Sequence, residues 1–554
     1  MKVIIKKRKK RKAPIISLIL LTAFTLMFIF GGIGERASYF KEYSLPEGGL
    51  GGVIINSLPL SGAAAEFDGI SYIKLDAVQT YIDPDIYYNE AEGRVIITTE
   101  NEVLRLDGDG AFDTEGLALN FAVYSADDGV YLPLELIERV YGYKITKSEK
   151  NGLILLDEGF KTGVVSKKTK LYRDTEKKKY FTKLEKDTKV YIYGDALDGM
   201  LTVKAVTGEN FGFVGMLPEK YISDITGENT AKPEKISERP EGRVNLVFDQ
   251  ISNASGAAVT MSNGVPEGVN VLCPTWFSFK DAGGEIVNKA NADYVDWAHK
   301  NGVQVWGLVT DNFDSSISGA VLTDDKTREY AVKQLIAYAE TYGLDGINID
   351  FEAVPKADGE YWVQFLREFA PVCQSHGLVL SCDLFVPRPW SMYYKRAEVG
   401  EIVDYVVVMG YDEHYGGSDT AGSVASMAWS RSAVEDTVNA GVPKEKLILG
   451  VPFYTRIWTE KDGELSSSAY SMTAAETLLD ENGAKFSFDD ETGQNYAEYT
   501  DNEGRHRCWL EDEQSVKKRA ALIKEYDIAG IAAWKLRMEK DGIFYIINEE
   551  LKAG

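Results

Sequence analysis

The feature that most constrains the fold is a regular alternation of apolar strand-like runs and helix-like segments after Arg243. The runs are rich in Val, Ile, Leu and aromatic residues, as strands buried on both faces are. Helix-like segments such as REYAVKQLIAYAETYG lie between many of them. The eight runs are RVNLVFDQI, VNVLCPTWFSF, VQVWGLVTDNF, LDGINIDFE, LVLSCDLFVP, VDYVVVMGYDEH, LILGVPFYTRIW and IAGIAAWKLR. They predict an α/β fold, a (β/α)8 TIM barrel over residues 243–554.

The predicted barrel contains one insertion. The stretch from about Thr459 to Arg519, between the seventh and eighth strands, is longer than one helix. Most connections in compact domains are short, so this length predicts a small subdomain of its own. The active site of a TIM barrel lies at the carboxyl ends of its strands, and the insertion follows the carboxyl end of the seventh strand. We therefore expect the subdomain to lie beside the site.

Two small β-rich domains are predicted before the barrel, over residues 51–157 and 161–225. In the first, GISYIKLDAVQTYI is echoed about 59 residues later by GVYLPLELIERVYG, which indicates a duplicated strand–helix–strand unit. This domain resembles the small N-terminal domain of copper amine oxidases, and residues 161–225 resemble a bacterial SH3-type domain. The resemblances imply wall-associated modules or plain spacers. The polar residues 226–242, with two prolines, are a linker by composition.

The N-terminus has the pattern of a membrane anchor. Eight Lys and Arg residues precede Ala13, so residues 1–12 are predicted to be a basic cytoplasmic tail. Residues 13–33 carry no charge and are long enough to span a bilayer as a helix. They predict a single-pass cell-membrane protein whose catalytic domain is extracellular. The alternative is a signal peptide that is cleaved, which would leave a secreted protein.

Charge and cysteine content exclude several other classes. The net charge of −24 disfavours nucleic acid as a partner, because phosphate binding needs a basic surface. Four cysteines in 554 residues are too few for a disulfide framework, and buried free thiols are favoured over pairs. No histidine precedes His299, so copper binding by the first small domain is not expected. We predict neither a metal nor another cofactor.

The fourth apolar run, LDGINIDFE, carries polar residues where a buried strand should be apolar. Asn348, Asp350 and Glu352 alternate with apolar residues and therefore share one face of the strand. Cα atoms two residues apart on a strand lie roughly 7 Å apart, so the two carboxyl groups are near neighbours. Like charges so close favour one protonated and one ionised group. A proton donor beside a carboxylate is what glycosidic bond cleavage requires.

Residues from about 243 to 550 resemble glycoside hydrolase family 18, the chitinase-like class, through four motifs in order. DGINIDFE matches the D-x-x-D-x-D-x-E signature, MGYD matches its M-x-Y-D, GVPFYTR matches its seventh strand, and a tryptophan ends the eighth strand. The resemblance implies a substrate-assisted, retaining mechanism. It implies Glu352 as general acid and base, Asp350 as the partner of the substrate acetamide and Tyr411 as a donor to its carbonyl. Asp412 would support the sugar or the acid, and Trp534 would form the pocket floor.

Further residues are candidates for sugar binding. Asp345 comes from the family signature, and Asn348 stands where chitinases usually have aspartate, as in the bacterial subgroup that acts on spore cortex or cell wall. Trp276, Tyr454 and Arg456 follow strand ends. Trp276, Trp390 and Trp458 could stack on the faces of pyranose rings, and the alternative for each is packing. The alternative for the two carboxylates is a structural ion pair with Arg456 or Arg388. His414 is interpreted as a packing residue.

These features together predict a membrane-anchored glycosidase that cleaves β-1,4 bonds next to N-acetylglucosamine. The predicted substrate is peptidoglycan of the cell wall, and a chitin-type oligosaccharide is the close alternative. A second class, a non-hydrolytic glycan-binding protein on the same barrel, is disfavoured because such relatives typically lose the acid at the position of Glu352.

Overall fold

A computed structural model describes residues 39–43, 45, 52–114, 116–148, 152–177, 179–227 and 239–552. The chain divides into two compact units. The N-terminal unit comprises Met1–Thr99 and Val103–Glu234, and the C-terminal unit comprises Glu100–Glu102 and Lys235–Gly554. The predicted basic tail, residues 1–12, and most of the predicted linker lie outside the described residues.

The prediction of a single-pass membrane protein is corrected by the helices of the structure. In the part of the chain that is described, every helix is too short or too polar to cross a bilayer. The segment on which the prediction depended, residues 13–33, lies outside the described residues.

The first part of the N-terminal unit contains three antiparallel or mixed sheets within its described residues. Their strands, in spatial order, are Lys144–Lys147, Ile154–Asp157, Val53–Ile55 and Leu58–Leu60; Tyr124–Ala126, Gly129–Pro133, Ile70–Lys74 and Ala64–Phe67; and Tyr87–Asn89, Arg94–Thr98, Val103–Leu106, Ala111–Phe112 and Ala118–Leu119. Strand Ile70–Lys74 leads into helix Leu75–Tyr81, and strand Gly129–Pro133 leads into helix Leu134–Tyr141. These two strands pair antiparallel, with Ile73 opposite Leu132, so the two copies of the predicted duplication meet in one sheet.

The second part of the N-terminal unit is a seven-stranded antiparallel sheet, counted over its described residues. Its strands, in spatial order, are Tyr180–Leu184, Thr169–Tyr172, Val214–Pro218, Met200–Ala205, Lys189–Leu197, Lys161–Val165 and Ile222–Thr226, with a short 3-10 turn at Glu219–Tyr221. Tyr39, from helix Tyr39–Glu42, stacks on Phe213 at 4.1 Å between ring centroids. Leu155 of the first part belongs to the same apolar cluster. The resemblances of the two parts to known domains stay predictions.

The C-terminal unit is an eight-stranded parallel barrel, as predicted, and residues 239–552 are all described. The strands are β1 (Val244–Asp249), β2 (Val271–Pro274), β3 (Gln304–Thr310), β4 (Gly346–Asp350), β5 (Val379–Phe385), β6 (Tyr405–Met409), β7 (Leu447–Pro452) and β8 (Gly530–Trp534). Each strand pairs with the next, β8 pairs with β1, and pairing of β2 with β3 completes the ring. A hairpin of Phe277–Phe279 and Ile286–Asn288 follows β2.

Helices cover the outside of the barrel. They are Ala254–Asn263, Ala292–Lys300, Ser315–Thr323, Asp325–Tyr342, Gly359–Ser375, Arg396–Ile402, Met427–Asn439, Glu513–Glu525 and Ile543–Lys552, with 3-10 turns at Lys356–Asp358, Pro389–Tyr394 and Lys444–Lys446. Six of these nine α-helices start with a side-chain cap, as at Asp314, which accepts from the N–H groups of Ser316 and Ile317. Such caps satisfy N–H groups that have no partner inside the helix.

The barrel interior changes from apolar to polar along the strands. Its lower layer includes Trp306, Val379 and Tyr405, and the ring of Trp306 lies 5.6 Å from that of Tyr405. A Cβ at Gly346 would lie 2.8 Å from the Trp306 ring, so only glycine leaves room for that tryptophan. The inward positions nearer the carboxyl ends of β4 and β5 are polar. This polarity places the candidate site at the end of the barrel where TIM-barrel sites lie.

The predicted insertion after β7 is a five-stranded antiparallel sheet with one helix. Its strands, in spatial order, are Glu464–Ser471, Tyr454–Lys461, Gly504–Trp509, Gln494–Asp501 and Lys485–Asp489, and its helix is Met472–Glu481. Ala475 and Leu479 of the helix pack on Ile457 and Cys508 of the sheet. The insertion starts at Tyr454 rather than at Thr459, because β7 continues almost directly into its first strand.

Candidate active site

Three carboxyl groups on two neighbouring strands meet at the carboxyl end of the barrel. Asp350 ends β4, Glu352 follows two residues later, and Asp383 lies on β5. Asn348 is aligned with Ser381 across these strands, so the inward residues that follow, Asp350 and Asp383, also lie side by side. All three carboxyl groups line a cavity of about 780 Å³.

Burial and mutual repulsion raise the pKa of each carboxyl group. Burial, with further contributions from the charges of Asp311 and Asp412, raises the pKa of Glu352 to about 7. Burial and the charges of Asp383 and Glu352 raise the pKa of Asp350 well above its usual range. Burial raises the pKa of Asp383 to about 8. The groups titrate as a set, and near neutral pH the set holds protons that isolated carboxyl groups would have released.

Asn348 lies below the carboxyl groups and is fully buried. Its Nδ2 donates to Ser381 Oγ at 3.0 Å and to Asp383 Oδ1 at 2.9 Å. Asn348 is absent from the residues that line the cavity. Its amide therefore orients Asp383 from below, and a direct contact of Asn348 with substrate stays a prediction.

Four of the predicted site residues, from the ends of β6, β7 and β8, reach the same cavity. Tyr411 and Asp412 follow β6, Tyr454 follows β7, and Trp534 ends β8; all four side chains line it. The Tyr454 hydroxyl donates a short hydrogen bond to Asp412 Oδ1, and this bond offsets part of the rise that burial causes in the pKa of Asp412. The Trp534 ring packs on Phe248 of β1, with 5.5 Å between ring centroids. The barrel wall thus holds Trp534 where one side of it meets the cavity.

Aromatic side chains also line the mouth of the cavity. Phe313, Trp390 and Tyr415 come from the loops after β3, β5 and β6 and are each more than half exposed. Trp390 packs edge-on against Phe385 at 5.0 Å between centroids. Exposed aromatic rings around a polar cavity provide apolar faces with wet edges, which suit pyranose rings.

Two predicted site residues lie elsewhere. Asp345 precedes β4, at the opposite end of the barrel, where its Oδ2 accepts from the N–H of Val305 at 2.7 Å and lies 2.8 Å from His299 Nε2. Trp276 is completely buried and packs against Tyr294, with 5.3 Å between centroids. Asp345 ties β4 to β3, and Trp276 packs against Tyr294. Neither is among the residues that line the cavity.

The two arginines considered as partners of the carboxylates have other partners. Arg388 Nη1 lies 2.9 Å from Asp436 Oδ2, and its guanidinium stacks 4.5 Å above the Trp429 ring. Arg456 Nη1 donates to Ser467 Oγ at 2.9 Å and lies outside the cavity lining, so its predicted contact with substrate is not supported. Within residues 239–552, neither arginine forms an ion pair with Asp350 or Glu352.

Trp458 and His414, the remaining residues with two interpretations, are not among those that line the cavity. Trp458 is buried and donates from Nε1 to the carbonyl of Gly422 at 2.8 Å. His414 Nδ1 lies 2.9 Å from the carbonyl of Ser423, and its packing role stays a prediction. All four cysteines are buried free thiols, as expected. Across the described residues, no group of three or more His, Cys, Asp or Glu side chains is arranged to hold a metal ion.

Sequence reasoning missed Asp383 and Asp311. Asp383 had a visible signal, since Ser381 and Asp383 alternate with apolar residues in LVLSCDLFVP, as in LDGINIDFE. Asp311 is fully buried and binds the backbone beside Glu352, through a hydrogen bond from Ala353 N–H at 2.7 Å. That contact joins residues 42 positions apart, and no local pattern shows it.

Residues 274–539 match the family described as glycosyl hydrolases family 18. This region is a family 18 glycosidase domain. The Bacillus subtilis (strain 168) protein named "Uncharacterized glycosylase YvbX" is 27% identical over 297 residues, which are 51% of this chain and 85% of that protein. The Bacillus subtilis (strain 168) "Cortical fragment-lytic enzyme" is 29% identical over 256 residues, which are 44% of this chain but 59% of that enzyme. The predicted enzyme class, glycoside hydrolase, is confirmed.

A solved structure shows the same fold. The spore cortex-lytic enzyme SleL from Bacillus cereus superimposes with a TM-score of 0.51 and 22% identity, over 56% of this chain and 75% of that one. At this identity the likeness concerns the fold.

Proposed function

We propose that this family 18 domain hydrolyses β-1,4 bonds next to N-acetylglucosamine in peptidoglycan, with retention of configuration. Glu352 is the general acid and base. Asp350 is the partner of the substrate acetamide, and Tyr411 is a hydrogen-bond donor to it. Trp534 is the floor under the sugar, with Asp412 and Tyr454 beside it.

One observation carries this proposal. Asp350 is 7% exposed and lines the cavity, yet its Oδ1 has no hydrogen-bond partner among the described residues. A buried carboxyl oxygen without a partner is costly unless a bound molecule supplies one. The N–H of an acetamido group is a donor of the right kind for this oxygen. An acetamido sugar is therefore a ligand whose chemistry matches the free acceptor.

The proposed reaction needs no nucleophile from the protein. The acetamide carbonyl oxygen attacks the anomeric carbon while the glycosidic oxygen leaves with the proton of Glu352. A positively charged oxazolinium forms, and Asp350 Oδ1 accepts a hydrogen bond from its N–H. Glu352, now ionised, takes a proton from a water molecule. That water attacks the anomeric carbon from the side the leaving group occupied, and the oxazolinium ring opens. Two displacements at one carbon retain its configuration.

The pKa of Glu352 suits both halves of this cycle. A general acid works best when its pKa is near the working pH, and burial raises that of Glu352 to about 7. An ordinary glutamic acid, with a pKa of 4.5, would have lost its proton at neutral pH. The nearby charges of Asp311 and Asp412 contribute to the same effect.

Peptidoglycan is proposed as the substrate because relatives named for cortex lysis share this domain. The test incubates the full-length protein with purified peptidoglycan and, separately, with chitin oligomers, and identifies products by mass spectrometry. New reducing N-acetylglucosamine ends from the wild type, and none from Glu352→Gln, support the proposal. The control Glu481→Gln, at an exposed site on the insertion helix, should cleave like the wild type. Binding of glycan without cleavage by the wild type would refute hydrolysis, and cleavage of chitin alone would refute the substrate.

A further inference from the structure

Asp311, at the end of β3, is a buried carboxylate that the proposed reaction does not use. It is 0% exposed and is not among the residues that line the cavity. Its Oδ2 accepts from Ala353 N–H at 2.7 Å and from Ser318 Oγ at 2.7 Å. Its Oδ1 accepts from Phe313 N–H at 3.1 Å. One carboxylate therefore joins three segments: the chain after β4, the helix Ser315–Thr323 and the loop after β3.

The first of these contacts fixes the peptide next to the acid. Ala353 directly follows Glu352, and β4 has already ended at Asp350, so no strand hydrogen bonds hold this peptide. A displacement of about 1 Å at a reacting group can cost on the order of a hundredfold in rate. A buried acceptor at 2.7 Å is a strong restraint on such a displacement.

The contact with Phe313 supports the mouth of the cavity. Asn312 and Phe313 both have positive φ angles, 58° and 56°, which non-glycine residues adopt at a cost. This conformation presents the Phe313 ring, 65% exposed, to the cavity. The hydrogen bond from Phe313 N–H to Asp311 holds the second residue of the pair. The carboxylate that restrains the acid thus also restrains an aromatic ring of the mouth.

We propose that Asp311 is a positioning residue, which holds the backbone of Glu352 in register with the bound sugar and keeps Phe313 on the cavity wall. The inference rests on the proposed glycosidase function of the same site. Asp311 also faces Glu352 as a negative charge. The other ionisable groups around Glu352 are Asp350 of its own segment, Asp383 of β5 and Asp412 after β6.

The test compares three variants in the full-length protein. Asp311→Ala removes both acceptors. Asp311→Asn keeps one oxygen, which can still accept from Ala353, but removes the charge. The matched control is Asp314→Asn, three residues along, which caps the same helix through Ser316 N–H at 2.9 Å and does not touch the segment of Glu352. A role confined to holding the helix Ser315–Thr323 would be shared by the Asp311 and Asp314 variants, because both residues accept hydrogen bonds from that helix.

The positioning role predicts a distinct pattern of rates. Asp311→Ala should lower kcat by about 10- to 100-fold, with a smaller rise in KM, and Asp311→Asn should lower it less. In Asp311→Asn the alkaline limb of the pH–rate profile should move to lower pH, because a negative charge that favours the protonated acid is gone. Asp314→Asn should change neither kcat nor the alkaline limb. Wild-type kcat and an unmoved limb in both Asp311 variants would overturn the proposal.

Hydrogen exchange separates this inference from the function on which it rests. Loss of the acceptor in Asp311→Ala should speed amide exchange at least tenfold in peptides that contain Ala353, and Asp314→Asn should not. If the wild type cleaves no glycan, the proposed function fails, and hydrogen exchange alone then tests whether Asp311 holds the backbone beside Glu352. Unchanged exchange at Ala353 in Asp311→Ala would overturn that inference. Tryptophan fluorescence verifies that each variant is folded, since every tryptophan lies after residue 275.

Discussion

Replacing Glu352 with glutamine should make the C-terminal unit more stable above neutral pH while it removes activity. Glu352 is partly buried in a cavity beside three aspartates, which is an unfavourable place for a negative charge. Glutamine has almost the same shape and cannot ionise. The gain in stability should therefore depend on pH in a way that the altered shape alone cannot produce.

The sign of the effect follows from the raised pKa. In the unfolded chain Glu352 loses its proton near its ordinary pKa of 4.5, and in the folded chain near 7. Between these values the folded state binds more protons, so stability falls as pH rises through 4.5 to 7. Each pKa unit corresponds to about 1.4 kcal/mol, so the full loss is about 3 kcal/mol above pH 7. Below pH 4.5 the loss is absent.

Urea unfolding of the full-length protein, followed by tryptophan fluorescence, measures this effect. All nine tryptophans lie in residues 276–534, so the signal reports the C-terminal unit without the N-terminal one. The free energy of unfolding is compared for wild type and Glu352→Gln from pH 4 to pH 9. The variant should match the wild type at pH 4 and exceed it by about 3 kcal/mol at pH 8.5.

The control variant Glu481→Gln makes the same chemical change at an exposed site on the helix Met472–Glu481. It measures the effect of the substitution in solvent. The reasoning is refuted if Glu352→Gln is no more stable than the wild type at pH 8.5, or if its advantage is the same at pH 4. Either result would mean that the cavity does not disfavour the ionised form of Glu352.

Two further substitutions test the packing below and beside the cavity. Asn348→Asp should lower the free energy of unfolding by about 1–3 kcal/mol at pH 8 in the same urea assay, because it replaces the donor to Ser381 and Asp383 with a like charge. At pH 5 the new aspartate and Asp383 should share a proton, so the loss of stability should be smaller. Arg519→Met should destabilise the unit by about 3–5 kcal/mol, measured by thermal unfolding, because it leaves Glu511 buried without the bidentate partner that also donates to the Ala425 carbonyl. A loss below 1 kcal/mol for Arg519→Met would show that the remaining donors to Glu511, Gln494 and Ser515, suffice.

The barrel could be predicted because its strands are buried on both faces and therefore read as unbroken apolar runs. YVVVM in β6 is buried along its whole length, and a short run of five such residues is typical of a strand covered on both faces. The same rule exposed the site, since Asn348, Asp350 and Glu352 break the apolar pattern at the end of one strand. Asp383 breaks the apolar pattern in the same way on the neighbouring strand, so the sequence carries the same signal for this residue.

The residues that were misplaced depend on contacts between distant segments. Asp345 fits the family signature, but a position one residue before a strand faces the opposite end of the barrel from a position at its end. Trp276 follows β2, where the chain could have continued toward the cavity. Instead its ring is fully buried against Tyr294, and the next residue, Phe277, begins a strand that pairs with β3. Sequence spacing gives the strand on which a side chain lies, and the loop geometry gives its direction.

The cavity concentrates an electrostatic cost that the rest of the unit must offset. Asp350, Glu352 and Asp383 all have raised pKa values, so each is disfavoured as an ion where it stands. A core built for stability alone would place apolar groups at these inward positions, as the lower half of the barrel does with Trp306 and Tyr405. The hydrogen bond from Asn348 to Asp383 stabilises the cluster from below, and the Asp311 carboxylate holds the peptide beside Glu352. The polar breaks in the apolar pattern are thus retained against stability, which is the physical reason to assign catalysis to them.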